Sequence, residues 1–204
     1  MGISIPGRAV VFDYGEVISQ APDAGDRERL VELAGVPGSA LWPEYERRRD
    51  ELDEGTLDIR DYWADIADRL GVTWDAARIH ELWVTDYRSW LSIDPGTLDV
   101  LLDLAAGGTR LALLSNAGRD FASYFRNGSL GALFEAVFVS GELGVIKPSP
   151  VIFEIVMREL GITAAQAVFV DNKEINVRGA EALGITGHVF EGAAGLRAFL
   201  TSLE

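Results

Sequence analysis

Six polar residues stand where apolar runs stop. Asp13 closes AVVFD, Ser115 and Asn116 close LALLSN, Asp171 and Asn172 close VFVDN, and Lys147 precedes proline in GVIKPSP. Two carboxylates with carbonyl oxygens nearby suit a hard cation that keeps some of its own waters, which is how Mg²⁺ is usually held. Such an ion and Lys147 would neutralise a phosphoryl group, while Ser115 and Asn116 donated hydrogen bonds to its oxygens. Asp13, placed in line, could attack phosphorus and form an aspartyl-phosphate that water then cleaves.

That chemistry requires the six residues to meet, and the pattern of elements predicts that they do. Residues 8–13 read as a buried strand. From about Pro22 to Trp90 only helical signals occur: DAGDRERLVELAG closes on a glycine, TLDIRDYWADIADRLG puts Ile59, Tyr62, Trp63, Ile66 and Leu70 on one face, and TWDAARIHELWVTDY starts at a Thr73 cap. From Asp94 onward helices alternate with strands that are apolar throughout, RLALLSN, AVFVS, AVFVDN and ITGHVF. Such alternation predicts an α/β fold with a Rossmann-like, doubly wound parallel sheet covered on both faces. The expected organisation is a discontinuous core, residues 1–14 and 92–204, with an inserted helical cap subdomain over 15–91. In an open parallel sheet, ligands gather at the carboxyl ends of the strands, which is where these six residues lie.

The 204 residues carry 18 basic and 32 acidic side chains, a formal net charge of −14 that repels a nucleic-acid backbone. There is no cysteine, which removes disulfides, zinc-thiolate sites and thiol nucleophiles. No apolar run approaches the roughly 18 residues that cross a bilayer. The sequence start MGISIPGRAVVF lacks the h-region of a signal peptide, so a cytoplasmic protein without membrane attachment is expected. A small phosphorylated substrate is the expected partner, and the chain should be a monomer or homodimer.

Taken together, FDYGEVI at Asp13, LLSNA at Ser115, IKPSP at Lys147 and VFVDN at Asp171 resemble the four signatures of the haloacid dehalogenase-like (HAD) hydrolase superfamily, over nearly the whole chain. The helical stretch after the first signature is similar in position to the small cap of the phosphatase-type members. The resemblance implies Asp13 as nucleophile and Lys147 as its catalytic partner. It also implies Mg²⁺ held by Asp13, the Gly15 carbonyl and Asp171, and a phosphoryl group held by Ser115, Asn116 and Lys147. The sequence departs from the pattern twice. Gly15 stands where phosphatases of the family carry an aspartate that protonates the leaving oxygen, a group worth about 10²- to 10⁴-fold in rate. Asn172 stands where a second aspartate is common, and is expected to orient Lys147 or a metal-bound water from behind the ligands.

Glu16 is not expected to replace the missing acid, because residues alternate sides in an extended segment and only Asp13 and Gly15 then face together. A phosphatase of good leaving groups, a sugar phosphate among them, leads. A 2-haloacid dehalogenase and a catalytically degenerate binding protein are the alternatives. Trp42 and Tyr45, beside the basic run 47–49, are candidates to line a substrate pocket, while those arginines read as a solvated helix face. His80 and His188 are read as structural or surface residues.

Overall fold

The computed structural model describes residues 2–204. Five strands, β1 (Ala9–Phe12), β2 (Arg110–Ser115), β3 (Ala136–Val139), β4 (Ala167–Asp171) and β5 (Thr186–Val189), form one parallel sheet in the order β3-β2-β1-β4-β5. Register aligns Phe12 with Leu113 on one side and Val170 on the other. The Asp13 N–H donates to the Val170 carbonyl at 2.8 Å, which carries the ladder one residue past β1. Asp13, Ser115 and Asp171 therefore reach the same edge of the sheet, as required of a site at the strands' carboxyl ends.

Alternation along the strands divides the core into two layers. Val10, Phe12, Leu111, Leu113, Val168 and Val170 pack against α6 (Pro95–Ala106) and the last helix, α11 (Ala193–Thr201), through Val100, Leu104, Leu196 and Leu200. Val11, Ala112, Leu114 and Phe169 face the other way, onto Ile152, Phe153 and Val156 of α9 (Pro150–Leu160) and Ala180 of α10 (Glu174–Glu181). Helices on both faces are the doubly wound α/β arrangement expected from the sequence. The Asp94 cap is also as expected: its carboxylate accepts from Thr97 N–H at 2.7 Å, with Pro95 in the first turn. Two short helices, α7 (Ala122–Asn127) and α8 (Ser140–Leu143), complete the core.

Between β1 and α6 run five helices: α1 (Ala24–Ala34), α2 (Gly38–Arg47), α3 (Arg49–Glu54), α4 (Ile59–Leu70) and α5 (Ala76–Ser89). They enclose a separate core in which Leu41, Tyr62, Trp63 and Leu82 are essentially without solvent exposure. Side chains of this size contribute roughly 1.5–3 kcal/mol each when fully buried, enough to hold a small helical unit together. The third predicted helix begins later than expected: Asp75, not Thr73, is the cap, and its carboxylate accepts from Arg78 N–H at 2.8 Å. An aspartate two residues on competes successfully because the ionised oxygen is the stronger acceptor. Helices α2 and α3 meet at Arg48, whose φ and ψ of −122° and 22° break the run and turn the following residues toward the sheet.

Several contacts join the helical unit to the core. Its two connections lie side by side, with an antiparallel bridge between Ser19 and Ile93 and a 2.7 Å bond from Gln20 N–H to the Ser92 carbonyl. Trp83 Nε1 on α5 donates to Asp120 Oδ2 at 2.7 Å. Ser140 Oγ donates to the Asp53 carbonyl at 2.5 Å, beside a contact between glycines so close that a Cβ on Gly55 would lie 2.2 Å from the Gly141 oxygen. Among the described residues, no helix is long and apolar enough to cross a membrane.

Candidate active site

At the carboxyl edge of the sheet, Lys147 Nζ donates to Asp13 Oδ1 at 2.7 Å, to Asp171 Oδ2 at 2.8 Å and to the Leu114 carbonyl at 3.0 Å. The ammonium and Asp171 side chains are 1% and 0% exposed, whereas that of Asp13 keeps 11%, so Asp13 is the most open of the three and Asp171 lies deepest. Burial pushes the Asp13 carboxyl up to about 6, helped by the neighbouring Asp171 and opposed by Lys147. Burial alone would lower Lys147, but the two carboxylates outweigh it and its pKa rises. The cluster therefore holds two acidic groups against one ammonium in a dry setting, an excess of negative charge that favours a further cation.

The neighbours fix this cluster in place. Asn116 brackets the Lys147 peptide, accepting from its N–H at 2.9 Å and donating to its carbonyl at 3.0 Å. The Asn116 amide thus places the lysine, a task the sequence reading did not give it, while one Nδ2 hydrogen stays available to a phosphoryl oxygen in the cavity that Asn116 lines. Asn176 Nδ2 donates to Asp171 Oδ2 at 3.0 Å, and Lys173 N–H to Asp171 Oδ1 at 2.7 Å. Ser115, 4% exposed, stands in the cavity wall beside Asp13.

The cavity above these residues has a volume of about 310 Å³. Asp13, Gly15, Ser115, Lys147 and Asn172 form its floor, Trp90, Phe121 and Phe125 its apolar side, and Tyr45, Glu46, Arg49, Asp50 and Asp53 of the helical unit its roof. A second space of about 180 Å³, lined by Trp42, Leu30 and Asp86, adjoins it through Glu16, Tyr45, Glu46 and Trp90. Of the basic run, Arg47 and Arg48 pair with the nearby Glu44 and Glu51 at the surface. Arg49 turns inward, against the solvated face that the sequence favoured for the whole run. Its guanidinium donates to Tyr45 Oη at 2.6 Å and to Asp53 at 3.2 Å and approaches Asp86 at 3.4 Å. The helix break at Arg48 separates the inward arginine from its two outward neighbours, and no spacing rule announces it.

Of Gly15 and Glu16, only the second differs from expectation. A Cβ on Gly15 would make an ordinary 3.6 Å contact with Trp90 Cζ3, so space for a side chain exists and none is supplied. Glu16 has φ of 59°, which ends the alternation assumed for the extended segment. It lines the cavity instead of facing away from it, and its Oε2 accepts from Asn172 Nδ2 at 2.6 Å. Asn172 thus bonds to Glu16 and not to Lys147. His80 packs against Trp83, and His188 stacks on Phe199 away from the cavity.

Donor chemistry fits Mg²⁺. Among the described residues, no three His, Asp or Glu side chains cluster as a ready metal cage. Two close carboxylates, Asp13 and Asp171, together with backbone oxygen and water, form the sparse set this ion accepts. The Asn172 Oδ1 atom, buried and without a hydrogen-bond donor, is a further oxygen wanting a partner in the same wall.

Several known proteins are similar to this chain in sequence or fold. The sesquiterpene phosphatase astK of Aspergillus oryzae is 26% identical over 184 residues, covering 88% of each chain. The drimenol cyclase drtB of Aspergillus calidoustus is 27% identical over 186 residues, 90% of this chain, which spans only 34% of that longer protein. A HAD family enzyme of Bacteroides thetaiotaomicron, crystallised as a mutant with magnesium and inorganic phosphate, superposes with a TM-score of 0.70 at 24% identity. That superposition covers 89% of this chain and 92% of the other, and shares its fold. The family model described as haloacid dehalogenase-like hydrolase matches residues 8–184, and the chain belongs to that family.

Proposed function

We propose that the protein is a Mg²⁺-dependent phosphomonoester hydrolase acting on a small phosphorylated metabolite, with a sugar phosphate the leading class. The observation that carries this reading is the arrangement of Asp13, Lys147 and Asp171: two carboxylates share a single buried ammonium, and one of them, Asp13, opens to the cavity. A bound Mg²⁺ would be held by Asp13, Asp171 and the Gly15 carbonyl and would supply charge neutralisation for the phosphoryl group. Asp13 then bonds to phosphorus while the bond to the leaving oxygen breaks, and water cleaves the aspartyl-phosphate to free phosphate and regenerate the carboxylate. Lys147 and Ser115 hold the phosphoryl oxygens, and Asn116 holds Lys147.

The roof supports a choice of leaving group. Glu46, Asp50 and Asp53 face the cavity against Arg49, which is already committed to Asp53, Asp86 and Tyr45. A wall of this sign disfavours an alcohol with its own carboxylate or phosphate. With no side chain at Gly15 to protonate the leaving oxygen, good leaving groups such as sugar 1-phosphates or acyl phosphates are favoured. The test is a panel of phosphorylated metabolites assayed with and without Mg²⁺, with Asp13→Asn as control. Activity should require the ion and disappear in the variant; release of halide from 2-haloacids that persists in a chelator would establish the dehalogenase reading instead.

A further inference from the structure

Glu16 is the residue of this site that the proposed reaction leaves without a task. Among the described residues it alone, apart from glycines, has a positive φ. A side chain in the left-handed region costs about 1–2 kcal/mol relative to ordinary backbone, so such a residue marks a place where the surroundings hold the chain against its preference. What Glu16 meets there is Asn172 Nδ2, at 2.6 Å. This contact settles the orientation of the amide, because exchanging its oxygen and nitrogen would set two oxygens against each other at the same distance. Asn172 Oδ1 is left buried without a donor. The penalty for such an orphaned acceptor is about 1–3 kcal/mol, and it is tolerable where a ligand supplies the missing partner. Asn172 follows Asp171 directly and shares the cavity wall with Asp13 and Gly15.

We infer that Glu16 is a positioning residue: by accepting from Asn172 Nδ2 it keeps the Asn172 carbonyl oxygen committed to the cation site, where it adds an oxygen to the ion's surroundings, directly or through a water. The inference rests on the Mg²⁺ reading above and assigns Glu16 no proton transfer. It also links one departure from the family pattern, the asparagine after Asp171, to the residue that follows the other, Gly15, in one hydrogen bond.

The experiment is a calorimetric titration of the full chain with Mg²⁺, without substrate, in wild type, Glu16→Ala, Glu16→Gln, Asn172→Ala and the double variant Glu16→Ala/Asn172→Ala. Partners behind a metal's ligands are worth about 10- to 100-fold in affinity, so Glu16→Ala and Asn172→Ala should each weaken binding by about tenfold or more. Because one acts through the other, the double variant should bind no more weakly than Asn172→Ala alone. Glu16→Gln, which retains an accepting oxygen but no charge, should bind nearly as well as wild type. Unchanged affinity in Glu16→Ala, additive losses in the double variant, or a glutamine as weak as the alanine would each overturn the inference while leaving the phosphatase reading intact. Absence of Mg²⁺ binding by the wild type would remove both. A metal-independent readout covers variants that bind nothing. The side-chain amide signals of Asn172 in a ¹⁵N-labelled sample should move in Glu16→Ala and stay in Glu16→Gln, and signals that ignore both substitutions would also refute it.

Discussion

Replacing Gly15 by aspartate should convert the protein into a better catalyst for poor leaving groups. The position accepts a side chain: a Cβ there would contact Trp90 Cζ3 at 3.6 Å, and the glycine does not occupy the left-handed region, so aspartate brings no backbone strain. The carboxyl would enter the cavity beside Asp13, where a leaving oxygen departs in the proposed reaction. A positioned acid is worth about 10²- to 10⁴-fold, equivalent to about 3–5 kcal/mol of barrier. The lower end applies here. A further carboxyl near Asp13, whose own pKa burial has pushed up to about 6, works against ionisation of the nucleophile. A gain of about 10²-fold in kcat is expected for an alkyl phosphate, with little gain for para-nitrophenyl phosphate, whose leaving group departs without help. The assay is the dependence of log kcat on leaving-group pKa, steep in the wild type and shallower in Gly15→Asp. Equal acceleration of both ester types, or a wild-type plot that is already flat, would refute the claim that an acid is missing.

Three further outcomes follow from the same coordinates. Lys147→Met leaves the Asp13 and Asp171 carboxylates without their shared ammonium, and should destabilise the metal-free protein by about 3–5 kcal/mol in urea unfolding. Added Mg²⁺ should then restore more stability to the variant than to the wild type. Asp53 is pushed up to about 6 by burial, with Arg49 opposing, from an ordinary 3.8. The folded state thus keeps a proton that the unfolded chain has already lost, and stability falls as pH rises from about 4 to about 6. Asp53→Asn should gain on the wild type by up to about 3 kcal/mol between pH 4 and pH 8, as followed by thermal or urea melts. Gly55→Ala, at φ of 78° and with its Cβ 2.2 Å from the Gly141 oxygen, should separate α3 from α8. Overpacking of this kind costs about 1–3 kcal/mol, and hydrogen exchange over residues 140–143 should accelerate while kcat/KM falls.

The legible parts of the molecule were those governed by local rules. Strands apolar throughout, such as RLALLS and AVFVD, are buried on both faces of a parallel sheet, and the sheet edge then follows for Asp13, Ser115 and Asp171. Asp94 followed by Pro95 announced the start of α6, because both residues act on the helix's own first turn. What stayed hidden depends on contacts between distant segments. The turn at Glu16 is held in part by an asparagine 156 residues later, so alternation along β1 gave the wrong side for it. Asn116 has the donors a phosphate would want, yet the loop carrying Lys147 takes one of them and its acceptor oxygen, a second task that local sequence does not announce. Arg47, Arg48 and Arg49 are alike in sequence, and only the break between α2 and α3 aims the last of them into the cavity.

The paired tethers at Ser19 and Ile93 have a consequence for how this chain can change. Because the polypeptide leaves the sheet and returns to it at adjacent points, the five-helix insertion behaves as a long loop whose ends are already pinned together. Lengthening or shortening such a loop alters its closure entropy by only about 0.6 kcal/mol per doubling. The chemistry at the strand ends and the shape of the roof above it are therefore free to vary separately. A different roof grafted between the same two anchor points could redirect the catalyst to a new alcohol without rebuilding the sheet that carries Asp13.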